Sequence, residues 1–121
     1  MNQELRPQIE TPEGEPAEQD WVRCDFDSYK IWYNSRYPYE AIIRCYHRGN
    51  LVGKVAFFED KQPPMQNECI DQIPLIHYPL SRFQDILSML RHERSVHLLY
   101  NTLNHTGHLV TNTLKPVGEG E

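Results

Sequence analysis

The sequence predicts an α+β fold: an antiparallel β-sheet of about five or six strands with one main helix packed on one face. Three observations predict it. From Trp21 onward, aromatic and β-branched residues alternate with polar ones over short runs bounded by turn residues. Gly49-Asn50 separates two apolar-rich runs, residues 40–47 and 51–58, as the turn of a two-residue hairpin does. Phe83, Ile86, Leu87 and Leu90 fall at i, i+3, i+4 and i+7, which gathers them into one apolar stripe of a helix.

The elements follow in chain order. Across residues 22–33, one parity holds Val22, Cys24, Phe26 and Trp32, and the other holds Tyr29, Ile31 and Tyr33. The alternation therefore changes phase near Asp27-Ser28, where a bend, bulge or turn is expected. Residues 34–38 read as a loop, since Pro38 cannot donate to a central ladder. With Gly49-Asn50 as the hairpin loop, Arg48 pairs with Leu51, and counting outward sets Arg44 against Val55, Ile43 against Ala56 and Ile42 against Phe57. One face then carries Ile42, Tyr46, Val55 and Phe57, and the other Ala41, Ile43, Cys45, Val52, Ala56 and Phe58. Both faces are apolar, and one helix covers only one of them. A second copy of the chain, as a homodimer, or another protein is expected on the other, with the loops 34–38 and 62–72 as the alternative cover.

After Pro63-Pro64, residues 73–78 form a short strand closed by Pro79. Ser81 with Gln84 makes a capping-box pattern ahead of the apolar stripe, and Arg91 and His92 suit the negative end of the helix dipole. Residues 96–102 and 108–114 flank Asn104-His105-Thr106-Gly107 as a second hairpin.

At 121 residues the chain is long enough for one domain with a real core. Residues 1–20 hold six acidic side chains and one basic, with Pro7, Pro12, Pro16 and Gly14, so a disordered acidic tail is expected there. That segment carries the whole formal charge of −5, and residues 21–121 are formally neutral. The folded domain is expected over 21–115, with a flexible C-terminal tail over 116–121. No basic start precedes an apolar run, and Cys24, Cys45 and Cys69 are odd in number and widely spaced. Both features fit a cytoplasmic protein with reduced thiols.

Candidate chemistry is sparse. His105 and His108 are the closest histidine pair, but no CxxC or HxxxH element accompanies them, so no metal site is expected. Cys45 and His47 share a strand face without an orienting acid, which reads as core packing rather than a nucleophile and its base. His97, opposite in parity to Val96 and Leu98, is expected to point outward. Asp25 with Asp27, Glu59 with Asp60, and Glu68 with Asp71 are acidic pairs of the kind that loops and strand ends carry routinely. The only GxG, Gly118-Glu119-Gly120, has no helix after it, so no nucleotide cofactor is implied.

A belt of aromatic and basic residues stands out: Arg23, Tyr29, Lys30, Trp32, Tyr33, Arg36, Tyr37, Tyr39, Arg44, Tyr46 and Arg48. The leading functional expectation is a non-catalytic protein-interaction or regulatory module, dimeric, whose partner contacts are Lys30, Trp32, Tyr33, Arg36, Tyr37, Tyr39, Arg44, Tyr46 and Arg48. The alternative is single-stranded nucleic-acid binding, because aromatics on a sheet beside Arg and Lys can stack bases and track phosphates. The order of strands followed by a helix is loosely similar to that of the Whirly single-strand-binding family, in architecture alone. A neutral body with an acidic tail lacks the basic excess typical of such proteins. A further alternative is a small enzyme with a pocket assembled from Cys45, His47, His77 and the turn from His105 to His108.

Overall fold

The computed structural model describes residues 20–34, 39–63, 65–114 and 117. The expected acidic tail lies outside them apart from Asp20, as do Arg36, Tyr37 and, apart from Val117, the C-terminal tail. The elements are β1 (Trp21–Phe26), β2 (Ser28–Tyr33), β3 (Tyr39–His47), β4 (Asn50–Phe58), β5 (Glu68–Ile70), β6 (Ile73–Pro79), α1 (Phe83–His92), β7 (Val96–Asn101) and β8 (Gly107–Thr111). Among the described residues, no helix is long and apolar enough to cross a membrane.

The chain is α+β, but the single antiparallel sheet is corrected to two sheets, one of them mixed. A three-stranded sheet has the order β1-β7-β8, and a five-stranded sheet the order β2-β3-β4-β6-β5. The phase change at Asp27 is where the chain leaves one sheet for the other: β1 pairs with β7, and β2 with β3. Asp27 ties that crossing to the end of the β3–β4 hairpin. Its N–H donates to Tyr46 O at 2.9 Å, and its Oδ2 accepts from the Arg48 N–H at 3.2 Å.

The five-stranded sheet is mixed because β6 runs parallel to β4. Asp71 and Gln72, at φ 55° and 67°, close a tight β5–β6 hairpin in which Ile70 faces Ile73. The longer strand, with Pro74 and Ile76 buried, takes the interior place beside β4. Three-residue β5, with Glu68 and Ile70 exposed, is left at the edge. Short, charged edges discourage pairing with other chains.

The β3–β4 register is one residue away from the expected one. Arg48 and Gly49, at φ 51° and 85°, form the loop, so His47 pairs with Asn50. Positive φ at both central residues is the type I′ geometry that matches strand twist. A bulge between Cys45 and Tyr46 then sets Arg44 against Lys54, Ile43 against Val55 and Ala41 against Phe57. A one-residue slip exchanges faces. Val55 and Phe57 accordingly join Ala41, Ile43 and Cys45, not Ile42 and Tyr46.

An arginine at φ 51° occupies a region that asparagine tolerates far better. Arg48→Asn is expected to stabilise the domain by about 0.5–1 kcal/mol. A rise in the urea midpoint at unchanged slope reads this out; an unchanged or lower midpoint would contradict the turn assignment.

One buried cluster joins the layers. The five-stranded sheet gives it Ile43, Val55, Phe57 and Ile76; the three-stranded sheet gives Phe26, Val96 and Leu98; the helix gives Phe83, Ile86, Leu87 and Leu90. The helical stripe is the one that the periodicity marks. Phe83 meets Phe57 edge to face at 5.0 Å between centroids. Ser81, however, makes no capping box: it lies in a 3-10 turn, Leu80–Arg82, and its N–H donates to Asp60 Oδ1 at 2.9 Å. At the other end, the His92 ring meets Ser88 O at 2.8 Å.

His97 does not point outward to solvent and is 5% exposed. Its Nδ1 bonds Asn112 Oδ1, and Asn112 Nδ2 reaches Asp25 Oδ1 at 3.1 Å and Ser95 Oγ. A polar lid from β1 and the chain after β8 thus covers that face of β7, which parity alone could not foresee.

Candidate interface on the outer sheet face

The strand registers define what the five-stranded sheet shows on the side away from the buried cluster. Lys30 pairs with Arg44, and Arg44 with Lys54, so three cations stand in one row across β2, β3 and β4. Directly paired residues on adjacent strands lie about 5 Å apart. Among the described residues, the ion pairs are Arg23–Asp25, His47–Asp27 and Arg82–Asp85, and none of the three row cations takes part. The row continues through Leu75 of β6 to Glu68 of β5.

Aromatic groups lie on both sides of the row. Two residues along β2 from Lys30 is Trp32, which is 49% exposed, and the Arg44 guanidinium sits 4.9 Å from its ring centroid. Arg44 Nε is shielded from solvent and has no hydrogen-bond partner. On the opposite side, two residues along β3, is Tyr46, half-buried and facing Ser28.

Tyr39 joins this face because a bulge between Tyr39 and Ala41 sets it against Phe58. Its hydroxyl meets His77 Nε2 at 3.2 Å, with ring centroids 5.5 Å apart. Burial pushes the His77 imidazole below its ordinary pKa, partly countered by the Glu68 carboxylate, so the ring is held neutral at neutral pH. Burial and Glu68 both push the Tyr39 phenol up. Tyr39 and His77 are therefore an uncharged pair beside Ala56 and Phe58, which are buried on this side of the sheet. Toward the far edge, a shallow cavity of about 210 Å³ is lined by Leu51, Lys54, Glu68, Ile70, Asp71, Ile73 and Leu75.

Five of the nine sequence-marked contact residues thus share one face: Lys30, Trp32, Tyr39, Arg44 and Tyr46. Tyr33 does not, since it has the other parity and its ring lies 5.8 Å from Phe83 on the helix side. Arg48 is in the hairpin turn. Arg36 and Tyr37 lie outside the described residues. Of the wider belt, Tyr29 packs against the buried cluster, and Arg23 belongs to the other sheet, 3.1 Å from Asp25. Lys54 is the residue that the sequence reading missed. The expected register placed Val55 opposite Arg44 and put Lys54 on the wrong face. Moving the turn to Arg48-Gly49 alone would set Lys54 against Ile43; it is the bulge between Cys45 and Tyr46, which the alternation does not mark, that brings Lys54 to Arg44.

The residues of the expected Cys/His pocket are in different places. Cys45 has no exposure, and burial pushes its thiol up to about 12, the opposite of what a nucleophile requires. His47 stands 3.7 Å from Asp27 and lines a groove with Cys24 and Gln72. His77 is on the outer face with Tyr39. His105 is bound to the Tyr100 hydroxyl at 2.6 Å and lines a separate polar depression with Cys69, Asn67 and Glu68. Among the described residues, no group of three or more His, Cys, Asp and Glu side chains is placed to hold a metal ion. Compared with known family models, curated proteins and solved structures, the chain has no significant match, so its function is argued from this geometry alone.

Proposed function

We propose that this chain is a non-catalytic binding module that docks an anionic macromolecule on the outer face of its five-stranded sheet. The observation that carries the reading is the in-register row Lys30, Arg44, Lys54, with no ion pair among the described residues. Like charges directly opposite each other on neighbouring strands destabilise a sheet by up to about 1 kcal/mol per pair. An anionic ligand removes that repulsion, so docking and relief of strain act together. The formal neutrality of residues 21–121 does not oppose this, because exposed charges act over about 8–10 Å at physiological salt.

A second copy of the chain is a poorer occupant for this face. Across the row each copy offers three cations and one carboxylate, Glu68, so stacking two such faces opposes like charge to like. Light scattering on the full chain separates the cases, since a tight dimer that buries Trp32 would favour self-association over an external ligand.

The test is retention of the full chain on immobilised heparin, used as a generic polyanion, at about 50 mM salt. Wild type is expected to be retained, and Lys30→Gln/Arg44→Gln/Lys54→Gln to pass through. A charge-matched control, Lys61→Gln/Arg91→Gln/Arg94→Gln, removes cations away from the row and should be retained like wild type. Passage of wild type through the column, or equal loss in the control, overturns the reading.

A further inference from the structure

We infer that the anion taken by this face is single-stranded nucleic acid, with phosphates along Lys30, Arg44 and Lys54 and bases stacked on Trp32 and Tyr46. The inference rests on the outer face being an anion-docking surface and adds what the anion is. Its basis is the arrangement of rings about the cations. A sulfated or carboxylated polymer needs only charge, which the row supplies alone. It leaves unused an indole half open to solvent beside the row of cations.

The two rings stand on opposite sides of the row, because β2 and β3 are antiparallel. Trp32 follows Lys30 toward one end of the strands, and Tyr46 follows Arg44 toward the other. Each is two residues, about 7 Å, from its cation along the strand. A strand of nucleic acid crossing β2, β3 and β4 along the row would thus have an aromatic platform available on either side of its backbone. The Arg44 guanidinium covers one face of the Trp32 ring at 4.9 Å, which fixes the indole and leaves its exposed part for a base. Such stacking is insensitive to base identity, since every base has a π-face.

The experiment uses the full chain carrying Trp21→Phe, so that Trp32 is the only indole reporter among the two tryptophans. It is titrated with a thymidine oligonucleotide of about 15 residues, its duplex, a heparin fragment and poly-glutamate. The expected result is quenching of Trp32 by the single strand. With three phosphate contacts, the logarithm of affinity should fall against the logarithm of salt with a slope of about −2. Arg44→Gln should bring that slope to about −1.4, and Trp32→Ala should weaken binding about five- to a hundredfold with the slope unchanged. Trp32→Phe should recover part of the loss.

Equal binding of oligonucleotide and heparin without quenching, tighter binding of the duplex, or poly-glutamate binding as strongly as the oligonucleotide overturns this inference and leaves the anion-docking face standing. Binding of none of the four overturns both. Should Trp21→Phe fail to fold, filter binding that compares Trp32→Ala with Trp32→Phe in the otherwise wild-type chain reaches the same decision.

Discussion

Phe57→Ala is expected to destabilise the domain by about 3–5 kcal/mol. The side chain has no exposure, and its ring lies between Phe83 of α1, 5.0 Å away edge to face, and Tyr78 of β6, 6.4 Å away and stacked. Truncation removes the transfer free energy of the ring and leaves a void where helix and sheet meet, which well-packed neighbours cannot fill without strain. A single domain is stable by about 5–15 kcal/mol, so the variant should be close to unfolding at room temperature. Phe57→Leu, which keeps most of the volume, should cost about 1–2 kcal/mol and remain measurable by urea titration. Phe58→Ala should cost less than Phe57→Ala. Phe58 has Tyr39 and Pro79 as ladder neighbours on the outer face, not a helix ring above it. The reverse order would put the hairpin back into the register counted from Gly49-Asn50.

Gly107→Ala is expected to cost about 1–3 kcal/mol by overpacking. A Cβ built on Gly107 would lie 2.7, 2.8 and 2.9 Å from Cγ1, Cγ2 and Cδ1 of Ile76, a side chain 1% exposed with nowhere to retreat. The backbone of Gly107 is not left-handed, so the effect is steric and not conformational. The Ile76→Ala background decides the cause. There the clash is gone, and Gly107→Ala should be near neutral or slightly stabilising through its effect on the unfolded chain. A double-mutant cycle should thus give a coupling of about 1–3 kcal/mol. Simple additivity would mean that β8 and β6 do not touch. Gly53 makes a similar approach, its virtual Cβ 2.4 Å from Leu98 Cδ1, so the two sheets meet at two points where a side chain is absent on one partner.

What the sequence revealed depended on whether the information was local. The helix was legible because Phe83, Ile86, Leu87 and Leu90 repeat at the helical period, and the bend at Asp27 because parity changes there. Neither observation says which strand β1 will join, since its partner β7 lies at the other end of the chain. The parallel pairing of β4 with β6 was hidden for the same reason. β5 was hidden by being three residues long and following a proline-rich loop. At the candidate interface, Lys30 and Trp32 could be grouped within β2, and Arg44 and Tyr46 within β3, because strand parity is a local property. Lys54 required the register across the turn, and that depended on the bulge between Cys45 and Tyr46 as well as on whether an arginine or an asparagine shares the loop with Gly49. Propensity favours asparagine, and the tertiary bond from Arg48 N–H to Asp27 accompanies the other outcome.

The crossing of the chain at Asp27 also bears on the order in which the domain can assemble. Strands β2, β3 and β4 are consecutive neighbours and close short loops, whereas β1 must find β7, with Trp21 opposite Asn101. Loop closure costs entropy that grows with the length of chain enclosed, and folding slows as contacts become less local. During synthesis the five-stranded sheet can therefore be largely laid down while β1 waits, its Phe26 and Cys24 unpaired. Strand β1 thus leaves the ribosome before β7 yet, among the described strands, is among the last to be paired, and a chaperone or a slow folding phase would act on that interval.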